Sequence, residues 1–165
     1  MFKKLFGKKD NSCKLVSPIN GETIAIEEVN DPTFASGMLG KGVGIKPAEG
    51  RVVAPVAGEV TIMFPTKHAV SILSEDGAEI LIHIGLDTVN LQGQHFTSHV
   101  EVGQKVNVGD LLVEFDAEKI KEAGYDITSP VLVCNPDAFE AVEPAEYGPV
   151  SIGAVSYTHL TLPTT

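Results

Sequence analysis

Short apolar runs, broken every few positions by Gly, Pro, Asn or Asp, fill the middle of the chain. Examples are GRVVAPVAGEVTIMF, HAVSILSEDGAEILIHI and GDLLVEFD. Runs of this length between tight turns are typical of the strands of a sandwich or a barrel. Asp76 and Gly77 separate two of the runs, and this pair is a strong signal for a β-hairpin. The pattern therefore predicts an all-β fold.

Helical signals are few and short. The stretch NDPTFASG opens on a capping residue, Asn30 or Asp31, and closes at Gly37. The stretch DAEKIKEAG has Asp116 as a cap and Gly124 as a stop. Cap and stop residues of these types mark helix ends. We expect two short helices here, with one or two further turns in NPDAFEAV.

One segment of the chain echoes another. LVSPINGET, at 15–23, matches VVAPVAGEV, at 52–60, in Val, Pro, Gly and Glu. A weaker third copy is TSPVLV. The shared content is a strand, a turn stiffened by proline and a second strand, which indicates an internally repeated unit.

Composition and charge narrow the function. With 165 residues, 43% apolar and 21% charged, the chain is long enough for one globular domain. A net charge of −10 argues against nucleic acid, because phosphate binding needs concentrated Lys and Arg. Cys13 and Cys134 form no CxxC pair, which favours a reduced, cytoplasmic protein. No apolar run has membrane-spanning length.

The two ends differ from the middle. Residues 1–9 carry four lysines beside Phe2, Leu5 and Phe6, so this segment is either a weak contact to an anionic membrane or a solvated tail. The ending YTHLTLPTT continues no earlier pattern and is either a ragged terminus or foreign sequence. The expected division is a flexible basic segment at 1–13, a β-sandwich domain at 14–155 and an atypical tail at 156–165.

Two histidines interrupt the apolar strands. In EILIHIG, the isoleucines at 80, 82 and 84 share one face, so His83 points to the other side, where Gly85 leaves room for another group. In FPTKHAVSI, His68 shares its face with Thr66 and Val70. The predicted hairpin joins the two segments, so a bulge or an offset in it could set the rings side by side. By contrast, the polar loop GQHFTSHV suggests that its own two histidines, at 95 and 99, are solvated surface residues.

Three chemistries compete with the simpler interpretation of histidines satisfied within the core. A phosphoryl carrier needs the pair, a hydroxyl such as that of Thr66 and a rim that docks proteins. A zinc hydrolase would use His68, His83 and Asp87 as ligands, together with a water. A swinging-arm carrier needs a lysine at a hairpin tip, and the predicted turn has none.

Four segments carry a resemblance to a known family: APVAGEV, FPTKHAVSI, ILIHIGLDTV and VGDLLVEFD. They resemble the glucose-specific enzyme IIA component of the bacterial phosphoenolpyruvate-dependent sugar phosphotransferase system. The resemblance runs from about Lys14 to Val155, and HIGLDTV with TKHA is its most specific part. It implies a compact antiparallel β-sandwich with repeated strand–turn–strand units. YTHLTLPTT departs from the family, which closes with another glycine-led apolar strand.

The resemblance also implies roles for individual residues. His83 matches the residue that carries the phosphoryl group, His68 the second active-site histidine, and Thr66 a hydroxyl that orients the ring. Rim carboxylates that meet an arginine of the donor are matched by Asp31 and Asp87. Apolar docking positions are matched by Phe34, Phe64 and Val89.

Partners follow from the same resemblance. The donor would be the histidine phosphocarrier protein, the acceptor a cysteine on the IIB domain of a sugar permease, and regulated transporters or kinases would be further partners. No cofactor is required, although His68 and His83 could capture zinc adventitiously or at an interface. The basic start and Met1 favour a separate cytoplasmic protein, which would contact the inner face of the membrane peripherally if residues 1–9 act as an anchor rather than as a solvated tail.

Overall fold

A computed structural model describes residues 12–139, 141–144, 147–152 and 158–161 of the chain. The segment predicted to contact a membrane, residues 1–9, lies outside the described residues. The strands of the described part are β1 Ser12–Leu15, β2 Gly21–Ala25, β3 Lys41–Pro47, β4 Arg51–Val53, β5 Gly58–Met63, β6 Ala69–Ser74, β7 Glu79–His83, β8 Phe96–Ser98, β9 Lys105–Val106, β10 Leu111–Phe115, β11 Ser129–Val133, β12 Ala141–Pro144, β13 Gly148–Val150 and β14 Thr158–Thr161. Its helices are α1 Pro32–Ala35 and α2 Ala117–Glu122, with 3-10 turns at Ile26–Glu28, Thr88–Leu91 and Pro136–Ala138.

Antiparallel pairing joins the described strands into three sheets. The largest has the order β13-β2-β3-β11-β7-β6-β5-β9, and the smaller ones are β4-β10-β8 and β1-β14-β12. The main core contains residues of the large sheet, such as Ile72, together with Leu112 and Phe115 of β10. It therefore lies between the large sheet and β4-β10-β8. The all-β, sandwich-like prediction is confirmed.

The isoleucine face of β7 is buried as predicted. Ile80, Ile82 and Ile84 are within 1% of complete burial and belong to the main core, whereas His83 is only half-buried. Strand alternation explains the difference, because neighbouring side chains point to opposite faces of a sheet. The other face of the sheet carries a second apolar cluster: Ile26, Val29, Phe34, Leu86 and Leu132.

Both predicted helices are present. The Asp31 side chain accepts a hydrogen bond from the amide of Thr33 at 2.9 Å and caps α1. The Asp116 side chain accepts one from the amide of Lys119 at 3.1 Å and caps α2. These caps satisfy amides that the short helices leave unpaired. Over the residues described, no helix is both long and apolar enough to span a membrane.

The hairpin at Asp76-Gly77 is confirmed, and its register is regular. β6 and β7 pair without interruption from Leu73 opposite Glu79 to Ala69 opposite His83. Gly77 has φ +90°, which suits a glycine in a tight turn. The paired residues contain no bulge, so another feature of the backbone must also turn the ring of His68 toward His83.

The two echoed segments pair with each other. The amide of Val16 donates to the carbonyl of Pro55 at 3.2 Å, and the amide of Val53 donates to the carbonyl of Pro18 at 2.9 Å. Val16 and Val53 hold equivalent positions in the two copies, as do the prolines, so the contact is reciprocal. The third copy is different, because TSPVLV runs into the single strand β11.

Part of the atypical tail joins a sheet. The strand Thr158–Thr161 lies between β1 and β12 and pairs with both. These four residues pair as a strand, although the expected division places residues 156–165 in a tail outside the β-sandwich domain. The division of the chain at 14 and 155 stays a prediction.

The turn after β7 provides a test of packing. Gly85 has φ +76°, and a Cβ added there would lie 2.7 Å from Cγ2 of Thr88 and 3.0 Å from the carbonyl oxygen of Asp126. Gly77 also has positive φ, but a Cβ there meets nothing within 4 Å. We expect Gly77→Ala to lower the free energy of unfolding by about 1–2 kcal/mol, the cost of left-handed backbone.

Gly85→Ala should lose about 1–3 kcal/mol more than Gly77→Ala, because Thr88 and the Asp126 backbone must also shift. Urea unfolding of both variants measures the difference. Equal losses would contradict the close packing around Gly85.

Candidate functional site

The two histidine rings lie against each other at the edge of the large sheet where β7 ends and β6 begins. His83 is the last residue of β7 and His68 directly precedes β6. Their ring centroids are 5.0 Å apart, and the rings meet edge to face at 80°. The proximity that the hairpin predicted is therefore present.

An irregular turn aims the ring of His68. The amide of Lys67 donates to the carbonyl of Phe64 at 2.9 Å, and Lys67 has φ +59°. Left-handed backbone at a lysine is uncommon and redirects the residue that follows. Val70 pairs with Ile82 on the core side, whereas His68 lies beside His83. The prediction that His68 shares its face with Val70 is wrong for this reason.

A hydrogen bond selects the tautomer of His83. Its Nδ1 lies 2.7 Å from the carbonyl oxygen of Gly85. A carbonyl oxygen can only accept, so Nδ1 carries the proton and the neutral ring keeps its lone pair on Nε2. The room expected beside Gly85 is absent, because Thr88 and the Asp126 carbonyl fill it. What Gly85 supplies to the site is its carbonyl.

A hydroxyl and two phenylalanine rings hold the two imidazoles in place. Nδ1 of His68 lies 2.7 Å from Oγ1 of Thr66, as the shared face of these two residues predicted. The ring of Phe64 stacks on His68 with centroids 5.5 Å apart, and Phe34 packs on His83 at 4.9 Å. These contacts leave the rings little freedom to turn.

Burial keeps both imidazoles neutral near pH 7. Desolvation, with a smaller contribution from the neighbouring His83, lowers the pKa of His68 from 6.5 to about 4. Desolvation also lowers the pKa of His83, although the hydrogen bond to Gly85 and the charges of Asp31 and Asp87 act in the opposite direction. A neutral imidazole presents a lone pair, so the pair suits nucleophilic chemistry.

Acidic and apolar residues surround the rings. Asp31, at the start of α1, is half-buried and Asp87 is exposed, and both charges act on His83. Phe64 and Val89 expose 43% and 46% of their surface, so both are available to a partner. Phe34 exposes only 5%, which gives it a position beneath the ring of His83 rather than on the rim.

A zinc site built on His68, His83 and Asp87 lacks geometric support. Within residues 12–139 and the shorter described segments, no group of three His, Cys, Asp or Glu side chains could hold a metal ion. A catalytic zinc ion normally has three protein ligands.

Comparison with known proteins places the chain in a family. Residues 13–139 match the family model described as phosphoenolpyruvate-dependent sugar phosphotransferase system, EIIA 1. The chain belongs to this EIIA family.

Relatives include both short and long proteins. A protein of Halalkalibacterium halodurans, named PTS system glucose-specific EIIA component, is 52% identical over 87% of this chain and 88% of its own length. The beta-glucoside-specific EIIBCA component of Bacillus subtilis is 56% identical over 81% of this chain. The chain spans only about a fifth, 22%, of that longer relative.

A solved structure has the same architecture. The glucose permease IIA from Mycoplasma capricolum superimposes with a TM-score of 0.81 and is 38% identical. The match covers 93% of this EIIA chain and 98% of the other. The resemblance read from the sequence is therefore confirmed.

Sequence reasoning missed an exposed isoleucine on the face of His83. Ile62 is 40% exposed and pairs with Ser71, which in turn pairs with Leu81 of β7. Simple alternation from the buried Val60 would turn Ile62 into the core. A register shift between Val60 and Ile62 turns it outward instead, as β-bulges do.

The two loop histidines lie away from this pair. His99 is exposed, and its Nε2 lies 2.8 Å from a carboxylate oxygen of Glu114. The prediction of a surface position is confirmed for His99, whereas His95 is half-buried.

The pKa of His68 is directly testable. In a nuclear magnetic resonance titration, we expect His68 to stay neutral until about pH 4. In His83→Gln the pKa of His68 should rise, because the neighbouring charge is removed, but it should stay below 6.5 because burial is the larger cause. Titration of His68 near 6.5 in the unmodified protein would contradict the burial argument.

Proposed function

We propose that this EIIA chain is a phosphocarrier. It accepts a phosphoryl group on Nε2 of His83 from a phosphohistidine of the histidine phosphocarrier protein. It passes the group on to a cysteine of the IIB domain of a sugar permease. The observation that carries the proposal is the 2.7 Å hydrogen bond from Nδ1 of His83 to the Gly85 carbonyl, which leaves Nε2 as the free nucleophile.

Atoms and electrons balance in each transfer, so neither step requires a cofactor. In the first step, the Nε2 lone pair forms the new N–P bond while the P–N bond of the donor breaks, and that bonding pair returns to the donor ring. In the second step, a thiolate of the acceptor forms an S–P bond and the electron pair of the N–P bond returns to His83. Such transfers depend mainly on positioning and on stabilisation of charge.

His68 supplies a hydrogen bond in this proposal. If the Thr66 hydroxyl donates to Nδ1 of His68 across their 2.7 Å contact, the neutral ring carries its proton on Nε2. This N–H can then donate to an oxygen of the phosphoryl group on the neighbouring ring. Phe64 stacks on His68 and limits its rotation, which keeps the donor oriented before transfer.

The acidic and apolar residues around the rings would dock both partners in turn. The carboxylates of Asp31 and Asp87 can meet an arginine of the donor, and complementary charge speeds protein encounter. The exposed side chains of Phe64 and Val89 offer an apolar contact that excludes water from the labile N–P bond. Phe34 contributes by supporting His83 from below.

The relatives support the assignment to sugar transport. Glucose-specific EIIA components and beta-glucoside-specific EIIBCA components both match this chain closely. The second name joins EIIA with EIIB and EIIC in one polypeptide, as expected if an EIIA passes its group to an EIIB. The proposed sugar specificity therefore lies in the permease rather than in this chain.

Phosphorylation of His83 is the first test. After incubation with phosphoenolpyruvate and the upstream phosphotransfer proteins, we expect an acid-labile, base-stable phosphate on His83. His83→Ala should abolish the label, since no other nitrogen occupies this position, while the control His99→Ala should keep it. Label retained in His83→Ala would disprove the assignment, and stoichiometric zinc with peptidase activity and no label would favour the hydrolase.

The second test separates the roles of the two rings. His68→Gln should still accept phosphate, because the lone pair of His83 remains. Discharge to a IIB domain should slow by about 10²–10³, the usual effect of losing one preorganised donor. Thr66→Ser keeps the hydroxyl and should discharge at close to the normal rate. A normal discharge rate in His68→Gln would show that the second ring has no part in transfer.

A further inference from the structure

The two peptide groups beside Gly85 have a partner for every polar atom. The carbonyl of Ile84 accepts from the hydroxyl of Thr88, and the amide of Gly85 donates to Oγ of Ser129 at 3.3 Å. The carbonyl of Gly85 accepts from His83, and the next amide, of Leu86, donates to the carbonyl of Asp126 at 2.9 Å. The carbonyl that selects the His83 tautomer therefore sits in a turn held from outside.

Among the groups that hold this turn, Ser129 contributes a side chain from a different strand. It is the first residue of β11, lies 44 residues from Gly85 along the chain and has no exposed surface. Its Oγ donates to the carbonyl of Ile127 at 2.9 Å, so a lone pair is left for the Gly85 amide. The direction of each hydrogen bond is consequently defined.

We propose that Ser129 is a positioning residue that acts on His83 through Gly85. Its hydroxyl holds the amide of Gly85, so the carbonyl on the other side of this residue stays aimed at Nδ1 of His83. The free lone pair then stays on Nε2, where the phosphoryl group is received. The role in transfer rests on the function proposed above, whereas the effect on the tautomer does not.

Glycine makes such an anchor necessary. Gly85 has φ +76° and, without a Cβ, can reach more backbone conformations than any other residue. Without the Ser129 hydroxyl, its amide would be buried with no partner, at a cost that favours rotation of the turn. Rotation moves the carbonyl away from Nδ1 and removes the preference for one tautomer.

The test uses Ser129→Ala in the full-length chain. Nitrogen-15 spectra of the unphosphorylated protein at neutral pH report which ring nitrogen of His83 carries the proton. We expect nearly all of the Nδ1–H form in the unmodified protein, and roughly a tenth or more of the Nε2–H form in Ser129→Ala, on loss of a hydrogen bond of ordinary strength. Phosphate acceptance should slow by the same fraction as the Nδ1–H form is lost, because only that form presents the lone pair on Nε2.

Ser17→Ala is the matched control. Ser17 is also fully buried, also precedes a proline, and also donates to a carbonyl two residues away, that of Ile19 at 2.8 Å. It has no contact with Gly85 among the hydrogen bonds described. We expect Ser17→Ala to lose stability while the tautomer of His83 and the rate of acceptance stay unchanged.

The outcomes separate this proposal from the one on which it rests. Suppose that Ser129→Ala leaves the tautomer of His83 and the rate of phosphate acceptance unchanged, while His83 is phosphorylated in the parent protein. This result would overturn the positioning role alone. A tautomer shift in Ser129→Ala, with no phosphate on His83 in the parent protein, would support the positioning role and overturn the phosphocarrier. Equal tautomer shifts in both serine variants would show a general loosening of the fold and would also overturn the positioning role.

Discussion

The hydrogen bond between Nδ1 of His83 and the carbonyl of Gly85 is the contact on which the site depends. An imidazole has two nitrogens that differ only in which one carries the proton, and this 2.7 Å contact decides between them. The free lone pair on Nε2 follows from this contact. In the proposed function, a phosphoryl group approaches from that side and His68 acts as a neighbouring donor. A carbonyl suits this purpose because, unlike a hydroxyl, it cannot reverse its role.

The large sheet supplies the rigidity that this contact requires. β7 lies between β6 and β11, so both strands beside His83 are paired in turn with others. One face of β7 packs in the main core, and Leu81 on the other face packs against the second apolar cluster, which includes Phe34 of α1. The ring thus projects from the end of a strand that is fixed on both sides, while the residues proposed to meet partners lie outside the strands. Sites carried on rigid elements keep their geometry better than sites carried on loops alone.

Local signals in the sequence predicted much of this arrangement. Helix caps at Asp31 and Asp116, the hairpin at Gly77 and the buried isoleucine face each depend on neighbouring residues, so they are readable from short windows. The orientation of Ile62 is not, because a one-residue shift in β5 reverses its face without leaving a signal in composition.

The contacts of Ser129 and His68 are missed for a related reason. The hydrogen bond from Gly85 to Ser129 joins residues 44 apart, and a single sequence does not show which strands will become neighbours. The position of His68 depends on left-handed backbone at Lys67, a residue type that rarely adopts it. Resemblance to a family can indicate that His68 and His83 work together, but the physical reason for their contact appears only in the folded backbone.

Burial of the two histidines lowers the stability of the protein in acid. The folded protein holds the pKa of His68 at about 4, below the ordinary 6.5. Between these two values the unfolded chain binds a proton that the folded chain does not, so the free energy of unfolding falls as the pH is lowered through this window and is fully recovered above 6.5. The depressed pKa of His83 acts in the same direction. A more exposed pair would avoid this loss, but its rings would be partly protonated near neutrality, and a protonated ring lacks the lone pair that the proposed transfer needs. The site therefore gives up stability in acid, and both imidazoles stay neutral near pH 7.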